Sequence, residues 1–172
     1  MLWEFPLDIF HYGEPNGNKK IYSFINCLNT AGHYKQDWEL FLELEKLMPE
    51  WEFKSFGASC RDGAITGIQN LADKMREASF IFQVKRWGDG YGHGIFNSFA
   101  VGRPVITRLE DYKGKLAEPL IQNGINSVTI DGRTPQEIAT MLEGVGSRPS
   151  TDLDLMCKMA FGAFERNVDF DK

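Results

Sequence analysis

The sequence predicts a single Rossmann-like α/β domain, a doubly wound parallel sheet with helices on both faces. Three observations carry that expectation. Short apolar runs alternate with stretches of helical periodicity, the pattern of repeated βα units. One such run, Ser79 to Val84, contains Phe80-Ile81-Phe82, apolar on both sides as in a strand covered on two faces. It leads into a glycine-rich loop and then a helical pattern, the order from which βαβ crossovers are built.

Each element follows from local chemistry. Residues 1–20 carry the breakers Pro6, Gly13, Pro15 and Gly17 and read as an irregular, linker-like segment ahead of a domain spanning 21–172. Ile21 to Cys27 reads as a buried strand. Trp38, Phe41, Leu42, Leu44 and Met48 make a helical stripe over 37–48, closed by Pro49. Trp51 to Phe56 is a second strand, ended by Gly57. Ile65, Ile68, Leu71, Ala72 and Met75 mark a second helix, which runs into strand 79–84. That strand is expected at the centre of a sheet of about five or six strands.

Ile95, Phe96, Phe99 and Ala100 give the helix after the glycine loop, Gly102 a turn, and Pro104 to Thr107 the next strand. A charged, aromatic loop and a short helix around 115–122 precede strand Ser127 to Asp131. Thr134-Pro135-Gln136-Glu137 combines a capping box with proline in the first turn and fixes the next helix start. Leu153, Cys157, Ala160 and Phe164 share one face of a last helix from about 151 to 166.

Composition narrows the functions. A chain of 172 residues, 42% hydrophobic and 25% charged, has room for one ordinary core. A net charge of −5 and a pI near 5.2 argue against nucleic acid or a membrane surface as the main partner. No apolar run reaches transmembrane length, and Met-Leu-Trp-Glu-Phe-Pro lacks the basic and long apolar parts of a signal peptide. Cys27, Cys60 and Cys157 are odd in number and scattered, which fits neither a disulfide framework nor a zinc motif and points to a reducing cytoplasm. His11, His33 and His93 fall in unrelated loops, so no metal site is expected.

The chemistry concentrates after strand 79–84. Gly88, Gly90, Gly92 and Gly94 alternate through the loop, and glycines at a helix start let backbone N–H groups approach an anion. Gly90, Tyr91, Gly92, His93 and Gly94 are the candidate phosphate donors. The competing reading is a surface loop with glycines at turn positions. Lys85 and Arg86 follow the strand at its carboxyl end, where α/β sheets bind ligands; each is either a phosphate partner or a surface charge.

Taken whole, this string resembles the nucleotide-sugar loop of the group 1 glycosyltransferases of the GT-B fold. Asp89-Gly90-Tyr91-Gly92 falls on that family's Glu-Gly-Phe-Gly, and Phe99-Ala100-Val101-Gly102-Arg103-Pro104-Val105-Ile106 on its Met-Ala-x-Gly-x-Pro-Val-Ile. Asn123 to Ile130 resembles a further stretch of the family, and Phe164 to Asp171 the tail where its final helix crosses back to the other domain. The resemblance covers nearly the whole chain but only the family's C-terminal half, and the chain is shorter between Gly57 and Ser79. It implies half of a GT-B fold, a domain that binds a nucleoside-diphosphate sugar without a metal.

The same resemblance implies residue roles. Asp89 stands at the first family glutamate and faces the donor sugar, the catalytic position. Asn97 stands at the second, which holds the ribose; an amide both donates to and accepts from ribose hydroxyls. Lys35 stands at the phosphate-binding lysine, although the family's preceding arginine is missing; its other reading is a solvated helix-entry lysine. Gly57 to Arg61 would line the base pocket. The acceptor side belongs to an N-terminal domain in this family, so the chain is expected to hold at most half of an active site. That leaves enzymatic activity open, and a fragment, a subunit and a standalone binder as its possible states, with a fragment favoured. Two other functions stay open. The replaced glutamate pair suits a non-catalytic nucleotide or nucleotide-sugar binder, and Trp3, Phe5, Phe10 and Tyr12 suit a protein-docking domain if they have no core to enter.

Overall fold

Five parallel strands make one sheet: β1 (Lys20–Ser23), β2 (Glu52–Ser55), β3 (Phe80–Phe82), β4 (Val105–Thr107) and β5 (Ser127–Thr129), in the order β2-β1-β3-β4-β5. The computed structural model describes residues 6–15, 17–30, 32–88, 92–146 and 151–168. Strand β3 is central, as its two-sided apolar sequence requires. It pairs with β1 through Ile21↔Phe80 and with β4 through Ile81↔Val105. All three of its residues are fully buried.

The helices α1 (Lys35–Leu47), α2 (Ile68–Glu77), α3 (His93–Ala100), α4 (Pro135–Gly146) and α5 (Thr151–Asn167) cover both faces. Side chains alternate along each strand, so the sheet feeds two cores. Phe80 and Phe82 join Ile21, Phe53, Ile106 and Val128 beneath α1 and α4. Phe41 of α1 packs edge-on against both Phe53 and Phe82, with ring centroids 5.3 and 5.1 Å apart. Ile81 faces the other way, with Tyr22 and Val105, under α2 and α3. Helix α5 serves both cores, Leu153 and Met156 entering one, Ala160 and Phe164 the other.

The strands are shorter than the apolar runs that encode them. Burial continues past β3 into Gln83 and Val84, at 4% and 0% exposure, although the ladder ends at Phe82. After β1 the chain turns out of the sheet at Cys27, whose φ is +60°. The expected short helix over 115–122 is only a 3-10 turn, Glu118–Leu120, with another 3-10 turn, Glu110–Tyr112, ahead of it. Gly114 at φ +74° breaks the segment, and Pro119 has no N–H to extend a helix.

Among the described residues ahead of β1 there is no helix and no further strand, yet this segment is packed. Phe10 is 4% exposed in the core, and the Tyr12 ring lies 5.3 Å from that of Phe161. These two aromatics have a core to enter, so the condition for a docking role is not met by them; Trp3 and Phe5 lie outside the described residues. Arg103 explains the docking. Its guanidinium is buried and donates to the carbonyls of Gly13 at 2.7 Å, Glu14 at 3.3 Å and Arg76 at 2.6 Å, and to those of Val101 and Gly102. One cation thereby satisfies carbonyls at the carboxyl ends of α2 and α3, where the helix dipoles favour positive charge, and ties the N-terminal segment to them. No helix among the described residues is long and apolar enough to cross a membrane.

Candidate functional site

Chain order makes a site before any side chain is considered. The crossover from β1 through α1 places β2 on one side of β1, and the crossover through α2 places β3 on the other. Connections that leave adjacent strands in opposite directions open a crevice at the strands' carboxyl ends, the usual ligand position in open α/β sheets. A cavity of about 440 Å³ lies at that crevice.

Two kinds of wall enclose it. Phe24 and Ile25 after β1, Phe56 after β2, and Ile65, Leu71 and Met75 around α2 form an apolar side. The Phe24 and Phe56 rings stack at 5.8 Å. Opposite, Gln83 and Lys85 after β3 and His93, Gly94 and Asn97 from the first two turns of α3 form a polar side. Asn26 and Tyr34 complete the rim. In an acidic chain with 24 Asp and Glu residues, the described cavity wall has no carboxylate at all. Lys85, together with the positive end of the α3 dipole, sets the sign of the site, which suits an anion.

The local sequence builds this polar wall closely. Gly92 caps α3 in a left-handed conformation, φ +75°, and its carbonyl accepts from the N–H groups of Ile95 and Phe96. A Cβ there would stand 2.4 Å from that of Ala117. Gly94 allows the first turn to sit on the Gln83 carboxamide, which a Cβ would approach to 2.5 Å. Gln83 is itself fixed, its Nε2 donating to Tyr112 Oη at 3.4 Å and its carbonyl accepting from Thr107 Oγ1 at 2.9 Å. Asn26 Oδ1 accepts from the Ala58 N–H at 2.9 Å and joins the loops after β1 and β2.

Two carboxylates brace the loop that carries Lys85. Asp37, 2% exposed in the first turn of α1, accepts from the Arg86 N–H at 3.0 Å and from Arg108 Nη1 at 2.6 Å. Asp111 Oδ1 accepts from the next N–H, that of Trp87, at 2.9 Å. Arg108 also lies 3.7 Å from Asp111, so one guanidinium neutralises both carboxylates. Consecutive backbone amides are thus held as the chain enters the glycine loop.

Of the residues singled out in the sequence, the structure brings Lys85, His93, Gly94 and Asn97 to the cavity. Gly92 stands behind them as the cap of α3. Asp89, Gly90 and Tyr91 lie outside the described residues. Lys35 lies on exposed surface, 3.8 Å from Glu39, and does not line the cavity. Arg86 is exposed over the Trp87 ring, 4.9 Å from its centroid, and also lies off the cavity wall. Gly57 lines the cavity, whereas Arg61 turns away to Glu45 and Asp62. Sequence reading missed Asn26, Tyr34 and Gln83. Gln83 carried a signal, a polar residue inside an otherwise apolar run; Tyr34 and Asn26 carried none without the strand order. Among the described residues no group of three His, Cys, Asp or Glu side chains gathers to hold a metal ion.

No family model matches the chain, and no curated protein matches its sequence. Solved structures match its fold. TarM is similar over 92% of this chain and 34% of its own, at 13% identity and a TM-score of 0.73. Alr3699/HepE of Anabaena, in complex with UDP and glucose, is similar over 96% and 51%, at 13% identity and a TM-score of 0.71. The C-terminal domain of a group 1 family glycosyl transferase, LpcC of Francisella tularensis, is similar over 93% and 96%, at 14% identity and a TM-score of 0.58. The chain spans about a third to a half of the first two. Its fold is the α/β fold of one half of a GT-B glycosyltransferase.

Proposed function

We propose that this chain is the donor-binding half of a glycosyltransferase and that the crevice between β1 and β3 holds a nucleoside-diphosphate sugar. The observation that carries the reading is the cavity's two-sided chemistry at a topological switch point. A nucleotide has the same two sides. Its base suits the wall of Phe24, Phe56, Leu71 and Met75, and its diphosphate the wall of Lys85 and the α3 amino end. Asn97, one turn into α3, is the ribose partner, donating and accepting through one amide. The fold neighbour HepE has been solved with UDP, with UDP-glucose, and with UDP and glucose, which supports a uridine nucleotide as the first to test.

Transfer breaks the bond between the sugar and the diphosphate, and negative charge grows on the leaving phosphate. Lys85 and the α3 dipole are already aimed at that charge, the form of stabilisation that lowers a transition state most. The protein itself then supplies the positive charge, with no divalent ion required. Asp89 is the residue proposed to face the sugar, and a separate domain or subunit to bring the acceptor. A second reading, binding without transfer, rests on Asp89 and Asn97 standing where the resembling family has glutamates.

Calorimetry with UDP and then GDP tests the site. Half of a cleft leaves the ligand partly wet, so binding is expected between micromolar and millimolar, roughly −8 to −4 kcal/mol. Asn97→Ala should weaken nucleotide by about 1 to 2 kcal/mol, the cost of leaving polar partners unpaired. EDTA should change nothing. Absence of any interaction at millimolar nucleotide overturns the assignment. Hydrolysis of UDP-glucose by the chain separates the two readings, since only a transferase site turns the donor over, while transfer itself needs the separate acceptor domain or subunit.

A further inference from the structure

Two described residues bury a carboxamide, Asn126 at 0% exposure and Gln83 at 4%, and the fold treats them differently. The Asn126 amide is used at both ends: Oδ1 accepts from the Gln122 N–H at 2.9 Å, and Nδ2 donates to the Leu120 carbonyl at 2.8 Å. The Gln83 carboxamide makes one bond to a described residue, from Nε2 to Tyr112 Oη at 3.4 Å. Its Oε1 accepts from none of them. A buried acceptor left without a donor is costly, and native proteins keep few of them without a use.

The position adds to the contrast. Gln83 interrupts the apolar run from Phe80 to Val84 at the carboxyl end of the central strand, and it lines the cavity. Tyr112 is fully buried and is no part of the cavity wall, so its hydroxyl draws Nε2 toward the core. Oε1 is the end left for the cavity. Gly94 keeps that end bare: a Cβ there would stand 2.6 Å from Oε1. The neighbours on this wall, Lys85 and the amino end of α3, offer positive charge and donors. One acceptor among them has no use for a phosphate, whose oxygens are acceptors too. It fits a ligand that carries a hydroxyl close to its anionic group.

Resting on the donor-site reading above, we infer that Gln83 is a specificity residue whose Oε1 accepts a hydrogen bond from a sugar hydroxyl of the bound nucleoside-diphosphate sugar. Hydroxyls flank the diphosphate on both sides, on the ribose and on the transferred sugar, and both are the same chemistry to an amide oxygen. A site that buries an acceptor for a hydroxyl rejects the analogue without it, because the acceptor then stays unpaired in the filled cavity. The carboxamide is also neutral, so it reads the hydroxyl without repelling the diphosphate as a carboxylate would.

The test uses the 172-residue chain with three probes, UDP-glucose, UDP and 2′,3′-dideoxy-UDP, read by calorimetry and saturation-transfer NMR. The last has base and diphosphate but no sugar hydroxyl. Gln83→Met keeps the length of the side chain and removes the acceptor. It should cost about threefold to tenfold in affinity for UDP-glucose and leave dideoxy-UDP unchanged. A loss shared by UDP assigns the hydroxyl to the ribose; a loss confined to UDP-glucose assigns it to the transferred sugar. The melting temperature should not fall, since an apolar side chain replaces a half-paired amide, and Gln83→Leu repeats the comparison if the methionine variant does not fold. Equal affinity of wild type and variant for UDP-glucose overturns the inference while the donor site stands. So does an equal loss for all three probes, the mark of a structural role or of contact with the base or phosphates. Failure of the wild-type chain to bind any of the three overturns the donor site and this inference with it.

Discussion

Gly94 occupies the first turn of α3 with no room for a methyl group, because the Gln83 carboxamide lies where its Cβ would be. Gly94→Ala must therefore push Gln83 from its Tyr112 contact or lift the helix start from the cavity wall. Overpacking of this kind costs about 1 to 3 kcal/mol, and chemical denaturation should report a lower midpoint with an unchanged slope. Nucleotide affinity should fall with it. At this scale the sequence was half legible. His93, Gly94 and Asn97 could be placed because they ride one helix whose start the glycines mark, and Lys85 because it ends an apolar run. Asn26 and Tyr34 reach the cavity through strand order, which no local pattern encodes, while Gln83 left only the trace of a polar residue in an apolar run. Lys35 illustrates the converse, a residue chosen by resemblance whose ammonium group the structure places beside Glu39 on open surface.

Among the elements, α4 was the most legible because its start is chemical rather than statistical. The Glu137 carboxylate accepts from the Thr134 N–H at 2.7 Å, and Thr134 Oγ1 accepts from the Glu137 N–H at 3.3 Å, closing the box read from four residues. Thr134→Ala should cost about 1 kcal/mol, seen as a lower melting temperature, and should leave nucleotide binding untouched because α4 lies on the far face. Strand ends were less legible. Hydrophobicity records burial, and burial outlasts pairing: Val84 is as buried as Phe82 although it lies beyond the ladder. The segment over 115–122 shows a different limit. Its apolar spacing permits a helix, but Pro119 inside it and Gly114 just ahead of it decide against one.

The whole domain carries its own pH signature. Burial pushes the Cys157 thiol up to about 12, with the Arg103 guanidinium beside it pulling the other way. An unfolded cysteine titrates near 8.5, so the unfolded chain loses that proton first and gains stability from doing so. Folding stability should thus hold below about pH 8.5 and decline above it, by roughly 2 kcal/mol at pH 10. Urea midpoints from pH 7 to 10 check the slope, and Cys157→Ala should flatten it. The fold class, the parallel order and the central place of β3 were readable because two periodicities alternate along the chain and Phe80-Ile81-Phe82 is apolar on both sides. The docking of residues 9–14 was not, since it depends on a buried arginine whose bonds to that segment and to the helix ends all go to backbone carbonyls.

That arginine sets an order of events during synthesis. Arg103 reaches back 90 residues to Gly13 and 89 to Glu14, and Tyr12 awaits Phe161, nearly at the other end of the chain. A ribosome delivers β1, β2 and β3 before it releases the cation that these first carbonyls need. Residues 9–14 are therefore among the last parts of this domain to settle, kept in water until α5 arrives to close over them.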